Sequence, residues 1–158
     1  MNRISASYPR VKTFFELLRQ DEGSSLPVGA AGFCWGGKHV ALLAAEVTKV
    51  NDKPLIDAGF TGHPSMLVMP DDVENIKLLV SFAIGDKDSH LPLEVAHKIR
   101  DIVEAKPLEQ RGEMILYPDC NHGFCVRADI SFEDVAKQAA AAEDQCIQWF
   151  NKQFKIED

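Results

Sequence analysis

The chain has 158 residues, 46% hydrophobic and 26% charged, with a formal net charge of −7, which suits a single globular domain spanning 1–158 and not a disordered chain. The negative balance and the scatter of the basic residues exclude a nucleic acid or an acidic membrane face as the expected partner. No apolar run nears the roughly 20 residues needed to span a bilayer, and Met1-Asn2-Arg3-Ile4-Ser5 lacks the apolar core of a secretory signal, so the expected location is cytoplasmic.

In chain order, residues 8–20 read as a helix, with Val11, Phe14, Phe15 and Leu18 on one face at spacings of three and four. Asp21-Glu22-Gly23-Ser24-Ser25 supplies the turn chemistry that ends it. Residues 28–33 form a short buried strand whose alanines and glycines permit close packing, and residues 38–47 follow as a helix. Residues 55–61 are a second strand, and Asp71-Asp72-Val73-Glu74 is a helix start or a solvated turn. Residues 77–84 carry a nearly continuous apolar run, the signature of a parallel strand covered on both faces. Residues 92–105 form a helix with Val95, Ile99 and Ile102 on one face, and 113–117 form a fourth strand. Residues 131–154 close the chain as an amphipathic helix, with Phe132, Val135, Ala139, Ala142, Cys146 and Trp149 as its buried stripe and Ser131 with Asp134 resembling a capping box. Strands alternating with helices predict an α/β fold with a mainly parallel sheet. Such sheets gather ligands at the carboxyl ends of their strands.

Three strand ends carry chemistry. After the first strand stands Gly32-Phe33-Cys34-Trp35-Gly36-Gly37. A nucleophile on a sharp strand-to-helix turn needs small neighbours, here Gly32 and Gly36 two residues to either side. The following helix aims its amino end at Cys34, which favours a thiolate, and the Trp35 N–H can face a developing oxyanion. After the third strand comes Gly85-Asp86-Lys87-Asp88-Ser89-His90-Leu91-Pro92, and after the fourth Pro118-Asp119-Cys120-Asn121-His122-Gly123-Phe124. The order nucleophile, acid, histidine is that of α/β-hydrolases.

On these motifs the chain resembles the dienelactone hydrolase family of the α/β-hydrolase superfamily, and its fungal-type subgroup through Gly85-Asp86-Lys87-Asp88 and His122-Gly123-Phe124. The resemblance runs from about Val28 to the last helix. It implies an α/β-hydrolase-like sheet flanked by helices, with Cys34 as nucleophile, His122 as general base and acid, and Asp88 as the group that orients the histidine. It further implies hydrolysis of an ester or lactone, with dienelactone as the family's reference substrate, through a thioester acyl-enzyme. No metal or organic cofactor is expected. The family's fold has further strands before the nucleophile turn, which bring a second oxyanion donor and substrate-carboxylate contacts. Here one helix precedes it, so the fold is expected to be N-terminally shortened, to expose a sheet edge open to self-association, and to hydrolyse weakly.

Less functional readings stand beside these. Cys146 is expected to be a buried hydrophobe, and Cys120 and Cys125 loop packing residues, because Cys-x-His-x-x-Cys lacks a fourth zinc ligand. Asp86 is the rival of Asp88, with a loop-capping role expected through bonds to backbone N–H groups. His90 is expected to be solvated, and His39 and His97 to serve surface or packing roles. His63 lines the pocket or holds a turn; Phe124 is a second candidate pocket residue; the Trp35 ring is a candidate pocket wall. The alternative to an enzyme is a catalytically impaired hydrolase-fold domain that binds small molecules or a partner chain. Thiol redox chemistry is a more distant third, since no Cys-x-x-Cys is present.

Overall fold

Strands and helices alternate in the computed structural model, which describes residues 3–156. In order they are α1 (Arg3–Gln20), β1 (Gly29–Phe33), α2 (Trp35–Ala45), β2 (Lys49–Val50), β3 (Lys53–Pro54), β4 (Ala58–Gly62), α3 (Asp71–Glu74), β5 (Leu79–Gly85), α4 (Leu93–Ala105), β6 (Glu113–Tyr117), α5 (Phe124–Arg127) and α6 (Glu133–Phe154). The strands β1, β4, β5 and β6 form a parallel sheet in that order, and β2 with β3 makes a separate antiparallel hairpin. The architecture is therefore the α/β sheet flanked by helices that the alternation predicts.

Side-chain alternation along the central strands divides the core between the two faces of the sheet. Val80, Phe82 and Ile84 of β5 pack with Val40 and Leu43 of α2 and Ile99 and Val103 of α4. Ala83 points the other way, into a cluster with Phe60, Tyr117, Phe124, Ala142 and Trp149. Each fully buried Val, Leu, Ile or Phe contributes about 1.5–3 kcal/mol. Ser81 also lies inside β5, and its hydroxyl donates to Glu113 Oε1 at 2.8 Å. Gln145 of α6 donates to Ser81 Oγ (2.8 Å) and the Phe82 carbonyl (3.2 Å), and its own oxygen accepts from the Tyr117 hydroxyl (2.8 Å). The Ser81, Glu113, Tyr117 and Gln145 side chains on this face thus pair with one another and dock α6, while the Trp149 indole N–H is buried without a partner among the described residues.

Arg19, wholly buried, fixes the approach to β1. Its guanidinium donates to the carbonyls of Pro54, Gly23 and Leu26 and to Asp57 Oδ2 at 2.6 Å. The same carboxylate oxygen accepts from the Val28 N–H at 2.7 Å. One charge pair therefore ties the end of α1 to the starts of β1 and β4.

Several expected details change. Helix α1 begins at Arg3 and not at residue 8, and it docks through Val11, Phe15 and Leu18 while Phe14 is 59% exposed. Helix α2 starts at Trp35, three residues early, because Cys34 itself makes the turn. The capping box at Ser131 is absent: α6 begins at Glu133 after Phe132, and the Ser131 hydroxyl donates to Asp129 instead. Phe132 is exposed and leaves the buried stripe, which runs through Ala142, Gln145 and Trp149. The β2–β3 hairpin and α5 are too short to show a period. Asp71–Glu74 is a single helical turn.

Among the described residues β1 pairs with β4 alone, and Gly29 and Ala31 are exposed. Helix α1 packs on α2 without covering this edge. It leaves a groove of about 380 Å³ between Val11, Phe15, Gly32, Trp35 and Val40. No described helix is long and apolar enough to cross a membrane.

Candidate active site

Four parallel strands end on one side of the molecule, and the loops that follow them meet there. At the end of β1, Cys34 has φ 54° and ψ −125°, a conformation that non-glycine residues seldom adopt. Neighbouring backbone holds it: its N–H donates to the Gly62 carbonyl (3.2 Å), and its own carbonyl accepts from Gly37 and Ser65 N–H groups, each at 3.0 Å. A Cβ on Gly32 would collide with the Gly36 carbonyl. Gly36 itself has open space around it, and Gly37 is the second crowded position, pressed against Thr61 and Pro64. The positions that need glycine at this turn are therefore Gly32 and Gly37, whereas at Gly36, the expected partner of Gly32, a side chain would meet nothing.

The structure brings Cys34, His122 and Asp88 together. His122 Nε2 lies 3.1 Å from Cys34 Sγ. On the other side of the ring, Nδ1 lies 3.0 and 2.9 Å from the two oxygens of Asp88. Asp88 is 3% exposed, and its Oδ1 also accepts from the His90 N–H at 2.8 Å. Asp86 does not reach the histidine, nor does it cap the loop as expected. Its N–H bonds the Tyr117 carbonyl, while its Oδ1 is buried without a partner among the described residues. The β5 and β6 loops interlock behind the pair, because Gly85 approaches the Cys120 carbonyl too closely for any side chain and Lys87 N–H bonds that same carbonyl at 3.1 Å.

Electrostatics single out one of the four thiols. Burial opposes a charge on Cys34, but hydrogen bonds from the Ser65 hydroxyl, His122 and the Trp35 N–H, together with the His122 charge, outweigh it and hold the thiol below its ordinary pKa. His122 moves the other way: burial lowers it, and the bonds to Cys34 and Asp88 raise it further than burial takes away. Both shifts favour the thiolate–imidazolium form of the pair. Burial pushes Cys120 to about 11, Cys125 to about 12 and Cys146 to about 11. Those three are packing residues of the second core cluster.

Ser65 was not visible in the sequence as a site residue. It is 7% exposed on the loop after β4, and its Oγ lies 3.5 Å from Cys34 Sγ. The available hint is a hydroxyl four residues past an apolar strand, which is common in turns. His63 is placed differently from the pocket role considered for it. It is fully buried, has φ 37°, lies edge-to-face against His122 with ring centroids 4.9 Å apart, and has no partner at either ring nitrogen among the described residues. Burial, and secondly the charge on His122, lower its pKa to about 4, so it stays neutral. Phe124 is 4% exposed, packs on Tyr117, and shows one side to a charged cleft of about 230 Å³ beside His122. The Trp35 ring stacks edge-on against His39 and faces the groove along β1. His39 is buried, bonding Ser7 and the Trp35 carbonyl. His90 is exposed, as expected, yet its ring lies 4.2 Å from that of His122. A larger cleft of about 500 Å³ between β6 and α6 contains none of these groups.

Known proteins share this arrangement of strands and loops. The chain is 30% identical over 130 residues to the hydrolase tropI of Talaromyces stipitatus, covering 81% of this chain and 46% of that protein. It is 27% identical over 128 residues to the hydrolase pyvD of Aspergillus violaceofuscus, covering 81% and 48%. The chain thus spans about half the length of these curated relatives. Its fold is that of an α/β-hydrolase from a Medee basin deep-sea metagenome library, with a TM-score of 0.67 over 94% of this chain and 65% of that one at 15% identity. Thermogutta terrifontis esterase 2 superposes with a TM-score of 0.63 at 14% identity, covering 89% and 63%. The model of the dienelactone hydrolase family matches residues 5–154, and with it the chain belongs to that family.

Proposed function

We propose that the protein is a cysteine-dependent hydrolase of esters or lactones, with Cys34 as nucleophile, His122 as proton carrier and Asp88 as its orienting carboxylate. The observation that carries this reading is the continuous contact from Asp88 through both ring nitrogens of His122 to Cys34 Sγ. The thiolate attacks the carbonyl carbon, and the Trp35 N–H at the start of α2 steadies the oxyanion. The tetrahedral adduct collapses by breaking the ester C–O bond. The His122 imidazolium protonates the departing oxygen, which stays tethered to the acyl group when the substrate is a lactone. Neutral His122 then takes a proton from water, which attacks the thioester and releases the acid and the Cys34 thiolate. A thiolate is a better leaving group than an alkoxide, so the scheme suits activated esters and enol-lactones such as the family's dienelactone.

The test is acid-quenched turnover of 4-nitrophenyl acetate followed by peptide mapping. An acetyl group on Cys34, and loss of turnover in Cys34→Ala, are expected. Acylation at Ser65, or turnover that survives Cys34→Ala, would overturn the assignment.

The bare edge of β1 supports a second role. A strand with one neighbour and exposed small residues is a pairing template, so this edge is proposed to join a further strand, supplied in trans when two copies meet.

A further inference from the structure

Two clefts flank His122, and they differ in chemistry. The one shared by Phe124 is lined by Asp119, Arg127 and Asp129. The other, also about 230 Å³, lies between the loop after β4 and the segment that leads into α4. Its walls are Met66, Leu67 and Met69 on one side and Leu91 and Val95 on the other, and no Asp, Glu, Lys or Arg lines it. Both of its walls end at the reacting groups. Ser65, in the first wall, places its Oγ 3.5 Å from Cys34 Sγ. His90, in the second, lies ring to ring with His122 at 4.2 Å. Neither Cys34 nor His122 lines the cleft itself, so a group held here is one side chain removed from the reacting sulfur and imidazole.

We propose that this cleft is a subsite for an uncharged, apolar substituent of the substrate, a phenyl ring or a short alkyl chain, and that it selects against substrates carrying a carboxylate at that position. The size agrees: an aliphatic cavity of about 150 Å³ accommodates benzene, and this cleft is larger. The polarity agrees as well. A carboxylate entering between two methionines, two leucines and a valine would lose its hydration without gaining a cation, which is costly. Met66 is exposed on the rim, an arrangement that leaves apolar surface in water until a ligand covers it. The Lys38 ammonium and the Val68 N–H both bond Asp72, which pins the loop that carries this wall to α2. The subsite is therefore held in place before a substrate arrives. The inference rests on Cys34 being the nucleophile proposed above.

The test measures alkylation of Cys34 rather than turnover. The full chain is treated with three chloroacetamides, unsubstituted, N-benzyl and N-carboxymethyl, in which the thiolate displaces chloride. Labelling of each cysteine is mapped by mass, and rates at Cys34 are divided by the rates of the same reagents with glutathione. Burying a phenyl group contributes about 1.5–3 kcal/mol, so the benzyl reagent is expected to be favoured over the carboxymethyl reagent at least about tenfold. Met66→Asp places a carboxylate on the exposed rim at a residue whose φ of 63° aspartate tolerates. It is expected to reduce the benzyl preference, taken as the ratio of the benzyl rate to the rate of the unsubstituted reagent on the same variant, several-fold. Equal rates, a preference for the carboxymethyl reagent, or a benzyl preference that Met66→Asp leaves intact each overturns the subsite while the nucleophile stands. Failure of all three reagents at Cys34 in the folded chain overturns the nucleophile, and the subsite with it.

Discussion

His63 should make the fold acid-sensitive, by an amount its surroundings set. The ring is fully buried against Phe33, Phe124 and His122, with neither nitrogen bonded among the described residues. In the unfolded chain it protonates near its ordinary 6.5; in the fold, burial first and the His122 charge second hold it to about 4. Above pH 6.5 both states are neutral and the full stability is present. As pH falls toward 4 the unfolded chain takes up a proton that the folded chain refuses, and stability is lost. The gap corresponds to about 3 kcal/mol at 1.36 kcal/mol per pH unit. For a domain of this size that lowers the melting temperature by about 6–12 °C between pH 7 and pH 4. The assay is thermal unfolding of the wild type and of His63→Phe across that range. His63 sits at φ 37°, where phenylalanine is strained, but strain displaces the whole curve while only the titration changes its slope. The variant should lose less stability on acidification by about the same 3 kcal/mol, with His63→Asn as a second variant that tolerates the backbone. Parallel pH curves for wild type and both variants would refute the reasoning.

Asp88→Asn should lower kcat/KM by about 10- to 150-fold, the value of a hydrogen bond to a charged group, whereas Asp86→Asn, which touches no catalytic group, should change it little; an equal loss at both would reverse the assignment. Ser65→Ala removes a hydrogen bond that holds the Cys34 thiolate, so the pH midpoint for Cys34 alkylation should rise; a midpoint that stays put would assign Ser65 to loop packing. The same midpoint in the wild type should lie below that of the other three thiols, which burial raises. Sedimentation of the 158-residue chain should show association that Ala31→Lys on the exposed strand edge disperses; a wild-type chain that stays monomeric would mean that the β1 edge pairs with nothing in trans.

The sequence made the strands legible wherever burial governed composition. The run at β5 is covered on both faces, and so reads as apolar but for Ser81. The three chemical loops were legible for a related reason: a parallel sheet puts every carboxyl end on one side, so three strand ends bearing Cys, Asp and His converge without any knowledge of distances. What the sequence hid depends on distances between segments far apart in the chain. Whether Gly36 or Gly37 is crowded depends on Thr61 and Pro64 of the neighbouring strand end, not on spacing around Cys34. That His63 is buried depends on Phe33 at the end of β1 and on His122 and Phe124 from the segment after β6. The capping box at Ser131 failed because Asp129, two residues upstream, took the hydroxyl first, a local competition that a four-residue pattern does not register.

Strand β4 gives the site a logic beyond the three residues that were legible. It lies between β1 and β5 and carries none of Cys34, Asp88 and His122. Yet Gly62 at its end accepts the Cys34 N–H, His63 bonds the Ala83 carbonyl at 2.7 Å and backs the His122 ring, and Ser65 bonds both the carbonyl and the sulfur of Cys34. The strained turn of the nucleophile is thus held from β4 as well as from its own helix, whose Gly37 N–H shares the Cys34 carbonyl with Ser65. Register follows from this: β1 meets β4 at Phe33 and Gly62, and β4 meets β5 at Gly62 and Ala83. A slip of one residue at either seam would turn the strand end over and carry His63 and Ser65 away from the sulfur and the imidazole. Gly37 and Gly62 keep the β1–β4 side of this arrangement close, since a Cβ on Gly37 would strike Thr61 and Pro64 and one on Gly62 would strike Phe33. The residues that perform the proposed chemistry and those that hold it in place therefore lie on different strands, and a search for reactive side chains finds only the first group.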